Sequence, residues 1–272
     1  MTVSPSRCRW LIRGAVALAV CVVLFVGGPF VYIHFIEGKP PPKLTLPAST
    51  TTTTSGGAGG SASTGGSTAA AVTSVVGDWH VGPGSTVGYR VGEVLFGQDN
   101  TAVGRTTAVS GDLVISGSDS SASVSSGSFT AQMAQVKSSQ SQRDGQFDGR
   151  IMDVATYPTA TFTLTRPIDL ATVPAVGVPA QASATGTLEL RGVKRTVTIP
   201  LTVERVSTGI EVLGDYTVVF ADWNIPNPSF GPVTTNSQGT LEFLLDFTPG
   251  ASSAQAGGAS SADNATPLNL GG

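Results

Sequence analysis

Few side chains in this sequence are of types that do chemistry, and their spacing narrows what that chemistry could be. His80 is the only histidine outside an N-terminal apolar run that holds His34. A histidine-rich metal site, or a Ser-His-Asp triad using any other histidine, is therefore excluded. Cys8 and Cys21 both lie near the N-terminus, so the rest of the chain has no thiol nucleophile, no thiolate ligand and no disulfide. His80 stands beside Trp79 and reads as a surface or edge residue. Carboxylates remain: Asp144, Asp148 and Asp153, with Arg143 and Arg150 among them. Asp144 and Asp148 are four apart and would share one face of a helix. They could hold a cation or exchange a proton, and they equally fit a solvated face. Arg143 beside Asp144 could form an ion pair that fixes the helix to a strand. No glycine-rich phosphate loop of the dinucleotide or P-loop kind is present. The residues point to no catalytic group, no metal site and no cofactor.

The elements that must position these groups are mostly strands. Val87, Tyr89, Val91 and Leu95 alternate with Gly88, Arg90 and Gly92, and Phe162 and Leu164 alternate with threonines. Val197, Ile199, Leu201 and Val203 repeat the pattern, as do Leu241, Phe243, Leu245 and Phe247. Period-two alternation marks antiparallel strands with one face on an interior. About eight strands are expected, at 86–96, 101–116, 122–136, 159–170, 180–190, 194–207, 209–222 and 235–247. Their even spacing favours an all-β barrel or sandwich. Between Lys137 and Pro158 the rhythm changes: Phe147, Ile151 and Val154 are spaced four and three apart, which predicts a short helix with one apolar face. Around 190–195, Gly192 supplies a turn conformation that other residues resist. The flanking Arg191, Lys194 and Arg195 could meet a phosphate head group or simply keep a hairpin soluble. The segment 222–232, rich in proline, reads as a rigid rim or lid carrying Trp223 and Phe230.

The composition shifts sharply along the 272 residues. A basic segment, 1–13, carries Arg7, Arg9 and Arg13, and residues 14–36 then run without a single Asp, Glu, Lys or Arg. As a helix those residues would span roughly 35 Å, enough for a hydrocarbon core of about 30 Å. Three arginines precede the run and no arginine follows within ten residues, which predicts an inside N-terminus. A cleaved signal would have a shorter apolar stretch and a small-residue site after it. A lipoprotein signal would need a small residue where Val20 precedes Cys21. The expectation is therefore an uncleaved single-pass anchor with the rest of the chain extracytoplasmic. Residues 37–74, rich in Pro, Thr, Ser and Gly, read as a linker, 75–248 as the folded domain, and 249–272 as a disordered tail. The domain carries 10 Lys/Arg against 16 Asp/Glu, and no basic patch with interleaved aromatics, so nucleic acid is not an expected partner. Nothing in the sequence speaks to the oligomeric state.

An eight-stranded barrel can fill its lumen with side chains or hold one small ligand. Periodicity leaves both open for aromatics such as Tyr89, Phe129, Phe147, Phe162, Tyr216, Phe220, Phe230 and Phe243. Several stretches nevertheless recur in a telling order. They are Trp79 with 85–89 (STVGY), 109–115 (VSGDLVI), Arg143-Asp144 followed by 152–154 and 157–162 (YPTATF), 186–194 (GTLELRGVK), and 229–231 (SFG). In this the chain resembles the YceI-like family of exported lipid-binding proteins over about 75–247. The resemblance implies an extended eight-stranded antiparallel, lipocalin-like barrel with a short helical insert, whose lumen holds a long isoprenoid or similar lipid. It makes Tyr89, Phe129, Phe147, Ile151, Phe162, Tyr216, Phe220, Phe230 and Phe243 the lumen or mouth candidates, with Arg143, Asp144 and Gly192 structural. Two positions depart from the family's usual pattern. Gln146 and Phe147 stand where a histidine and a leucine are common, and prolines stand before Phe230 where Asn-Arg is usual.

Overall fold

Alternating side chains need a second surface to bury their apolar face, and this chain supplies it by curling its sheet onto itself. The computed structural model describes residues 15–18, 20–21, 39–47, 74–95, 97–118, 120–170, 173–231 and 233–250. Among the described residues the ladder segments are β1 (Gly77–Val81), β2 (Thr86–Leu95), β3 (Gln98–Thr106), β4 (Val109–Ser118), β5 (Ser121–Gln132) and β6 (Lys137–Ser138). They continue as β7 (Thr159–Leu164), β8 (Ile168–Leu170), β9 (Ala180–Leu190), β10 (Val193–Val206), β11 (Gly209–Val219), β12 (Val233–Thr235) and β13 (Gln238–Pro249). One helix, α1 (Ser141–Gln146), interrupts them, followed by a π-helical turn over Phe147–Ile151. Several segments are halves of one long strand, so the barrel has eight staves, as the alternation predicted.

All pairings are antiparallel. Neighbours in sequence pair in turn from β4 through β5, β7, β9, β10 and β11 to β13. Closure comes from β1, which the alternation did not reveal. It pairs with β4 on one side, as in Trp79 with Leu113, and with the end of β13 on the other, as in Val81 with Phe247. The early part of β13, Thr240 to Leu244, pairs instead with β2. The break between β1 and β2 is stitched to β13 at one residue. Gly82 N donates to Asp246 O (2.7 Å), and Ser85 Oγ accepts from Asp246 N (2.9 Å). Ser85 is fully buried as a result.

The interior divides in two. Towards the β4–β5 hairpin, Val75, Trp79, Leu113, Ile115, Ile210, Leu245 and Phe247 form a tight cluster, with Trp79 only 1% exposed and its indole donating to Val75 O (2.8 Å). Towards the β2–β3 hairpin, a larger cluster gathers Val91, Met133, Phe147, Leu188, Leu190, Val218, Phe220 and Trp223. The β9–β10 turn has Arg191 and Gly192 at φ +49° and +73°, and a Cβ at Gly192 would strike the Tyr157 ring at 2.4 Å. Its conformation and its neighbour both demand glycine.

No helix among the described residues is long and apolar enough to cross a membrane. Residues 15–18 and 20–21 are helical, and the rest of the expected span 14–36 lies outside the described residues. So do the expected basic segment 1–13 and all but the first two residues of the tail 249–272.

Candidate functional site

The second cluster does not fill its end of the barrel. A cavity of about 1150 Å³ opens there, lined by β2 (Tyr89, Val91, Glu93, Leu95), the helical insert, Phe220, Ile225 and the 228–235 segment. A second, almost wholly apolar space of about 170 Å³ continues towards the closed end, lined by Phe129, Phe162, Ile199, Ile210, Phe243 and Phe247 among others. The two share Val87, Ala131, Ala160, Leu188 and Leu241, which form a waist between them. Ala131 and Ala160 are cross-strand partners, so two methyl groups face each other along one side of that waist.

The lumen opens at its mouth and so admits water, but a wall this apolar gives ordered water few hydrogen-bond partners, and a run of CH₂ groups suits it better.

Polar groups gather at the mouth, where the insert crosses it. Asp144 ties α1 to β6, accepting from Ser138 N (2.8 Å) and Ser138 Oγ (2.6 Å). Arg143 reaches in the other direction: its Nη2 donates to Glu93 Oε1 on β2 (3.0 Å), which also accepts from Asn100 Nδ2 (2.8 Å). The helix is thus fixed to strands by both residues, Asp144 through Ser138 and Arg143 through Glu93. Phe147 then stacks on Tyr89 at 5.2 Å and 16°. Tyr89 lies flat across Gly104, its cross-strand partner, where any Cβ would sit 2.4 Å from the ring. Burial is the main cause that pushes the Tyr89 phenol up to about 12; Arg143 opposes this, and Asp144, Glu93 and Asp148 add to it. The phenol is a neutral donor throughout the physiological range.

The lid segment is clamped from three sides. Arg150, in the π-helical turn, donates to Asn227 O (3.0 Å) and Pro228 O (2.9 Å). Arg191 donates to Asn224 O, and Arg195 Nε to Asp222 O (2.8 Å). Lys194 pairs with Glu189 at 3.4 Å. Arg191 and Arg195 are therefore engaged with the rim, while Lys194 pairs within its own hairpin. His80 sits on β1 with more than half its side chain exposed, in contact with Asp112. Asp148 approaches Lys137 at 3.5 Å.

Of the nine lumen or mouth residues, Tyr89, Phe147, Ile151, Phe220 and Phe230 line the large cavity, and Phe129, Phe162 and Phe243 line the small one. Tyr216 lines neither. It packs half-buried against the larger cluster, while Val218 beyond it and Leu241 opposite it present to the lumen. Residues not named from the sequence as lumen or mouth candidates complete the mouth: Glu93, Asn100 behind it, Gln98, Gln142 and Gln146. Glu93 occupied an inward position in the β2 alternation. That misplaced charge was the available signal.

A closed eight-stranded antiparallel barrel with a capped apolar lumen defines the class. The YceI-like domain family matches residues 79–247, and the chain belongs to that family. Among solved structures it is similar to a polyisoprenoid binding domain from Saccharophagus degradans implicated in plant cell wall breakdown. The two are 18% identical with a TM-score of 0.49, over 64% of this chain and 99% of that one. It is also similar to Burkholderia cenocepacia BcnA (20% identical, TM-score 0.43, 58% of this chain and 95% of that one). A third is the Campylobacter jejuni YCEI protein that crystallizes with large solvent channels (18% identical, TM-score 0.39, 53% and 83%). No curated protein matches the chain.

Proposed function

We propose that this protein is a noncatalytic, membrane-tethered receptor that holds a long-chain isoprenoid or similar amphiphilic lipid in its barrel for sequestration, carriage or sensing. One observation carries the reading: an apolar lumen of about 1150 Å³ that continues past an alanine waist into a second apolar space. A tail threaded inward gains about 0.8 kcal/mol per buried CH₂. Family membership supports the same assignment. The alternative, an interaction module with a solid core, has this volume against it. An enzyme would need uncommitted acids or nucleophiles in the lumen, and Glu93 is engaged by Arg143 and Asn100.

The mouth also speaks to the head group. Arg143 is balanced by Glu93, Tyr89 is neutral, and Gln98, Gln142 and Gln146 offer amides. A neutral, hydrogen-bonding head such as an alcohol or quinone fits this ring better than a phosphate does, because a phosphate would meet no free cation there. Mass spectrometry of lipid extracted from the purified full chain, followed by titration with prenols and prenyl phosphates of increasing length, tests both points. The expected results are copurified lipid and tighter binding of long prenols than of the matching phosphates. A chain that carries no lipid and binds no prenyl compound of any length would sink the assignment.

A further inference from the structure

The outer wall of the barrel holds a buried charge cluster, and a piece of the expected linker lies on it. Arg105 Nε and Nη2 contact Glu242 Oε1 at 2.9 and 2.7 Å, and Arg90 Nε approaches Oε2 at 3.4 Å. All three point outward from β2, β3 and β13, yet the Glu242 side chain is only 5% exposed. Val103, also outward between the inward Ala102 and Gly104, is only 5% exposed and belongs to neither interior cluster. Residues 39–47 lie against the two arginines. Arg90 Nη2 donates to Pro41 O (2.7 Å) and Arg105 Nη2 to Pro42 O. Leu44 and Leu46, alternating along the segment, are half-buried while their neighbours are exposed.

We infer that the β2–β3–β13 outer face is a built acceptor for a proline-rich strap, and that its occupant is this chain's own segment 39–47. The chemistry is matched on both sides. Consecutive prolines have no N–H groups and a pre-set extended backbone, so their carbonyls are the only main-chain groups to recognise, at little entropic cost. Two guanidiniums held in place by one carboxylate supply donors at the spacing of two successive carbonyls.

Docking changes what the linker does. A free linker over 37–74 would let the barrel wander roughly 35 Å from the end of the apolar run. With 39–47 docked, two residues separate residue 36 from the docked segment, a reach of about 10 Å over three Cα–Cα steps. The membrane consequence rests on reading 14–36 as a span; the docking itself does not.

Trypsin reports the docking directly, because Lys43 is the only Lys or Arg between Lys39 and Arg90, and the bond after Lys39 is blocked by Pro40. In the full chain in detergent micelles, cleavage after Lys43 is expected to be slow and to accelerate about tenfold or more in R90A/R105A, since proteolysis follows the open population. The strap-side variant P41G/P42G leaves the barrel untouched and should accelerate cleavage likewise, whereas R166A should not. Equal rates in wild type, R90A/R105A and P41G/P42G, with unchanged circular dichroism, would overturn the strap. Liposome flotation of the same proteins tests the span separately: a chain that fails to float but keeps its protection retains the strap and loses only the membrane consequence.

Discussion

The two ends of this barrel are made from the same strands and do opposite things. At the closed end, Trp79, Leu113, Ile115 and Phe247 pack together, Phe129 meets Phe247 edge-on from a non-adjacent strand at 5.6 Å, and about 170 Å³ is left. At the mouth, β2 carries Tyr89 and Glu93 into a lumen of about 1150 Å³, spanned by an insert and a lid that arginines hold in place. The difference teaches how a small domain without disulfides can keep a large cavity. One end supplies packing, and the other converts its missing packing into polar clamps around an opening.

Breaking the closed end should have the largest effect. Trp79→Ala or Phe247→Ala removes a fully buried ring and should cost about 3–5 kcal/mol in urea unfolding. Phe230→Ala, at an exposed lid residue, should stay within about 0.5 kcal/mol. Similar losses at both sites would erase the contrast between the ends. Next comes the mouth clamp. Arg143→Leu strands the Glu93 carboxylate and should cost about 2–3 kcal/mol, while Glu93→Leu with Arg143→Leu should recover most of it. A double variant as unstable as the single one would show that the pair is not the unit.

The waist offers a sharper cut between the two spaces. Ala160→Phe should weaken the longest prenols by about tenfold or more, through lost CH₂ burial, while short prenols keep their affinity. Equal weakening at every length would mean that the tail never passes Ala131 and Ala160. The smallest effect is expected on the outer wall, where Glu204, Glu211 and Asp246 are aligned across β10, β11 and β13. Burial, with Asp246 and Glu204 nearby, raises the Glu211 pKa, and burial raises that of Asp246. For a raised carboxylate the folded state holds its proton longer. Stability is greatest below the unfolded value near pH 4–4.5 and declines as pH rises through the folded value. Glu211→Gln should therefore stabilise the fold at pH 7 and do so less at pH 4.5, read as melting midpoints. No gain at pH 7 would show that the row is already neutralised.

The sequence by itself determined which residues face inward. Val87 through Leu95 and Leu241 through Phe247 alternate because a pleated strand projects its side chains with period two, and the spacing of Phe147, Ile151 and Val154 marked the insert for the corresponding helical reason. Gly192 announced its turn because few other residues accept a positive φ, while the positive φ of Arg191 beside it had no such signal. What lies across the lumen is different information. Whether opposing side chains meet, as Phe129 and Phe247 do, or fall short, as around Val91 and Val218, depends on closure by β1 and on strands far apart in the chain. Glu93, to which Arg143 donates, is fifty residues away, and Tyr216 packs half-buried against the larger cluster yet lines neither space. The proline run at 40–42 reads locally as a stiff spacer; only the tertiary structure placed Arg90, Arg105 and Glu242 beneath it. Local periodicity encodes direction, and a cavity, a clamp and a strap are matters of distance.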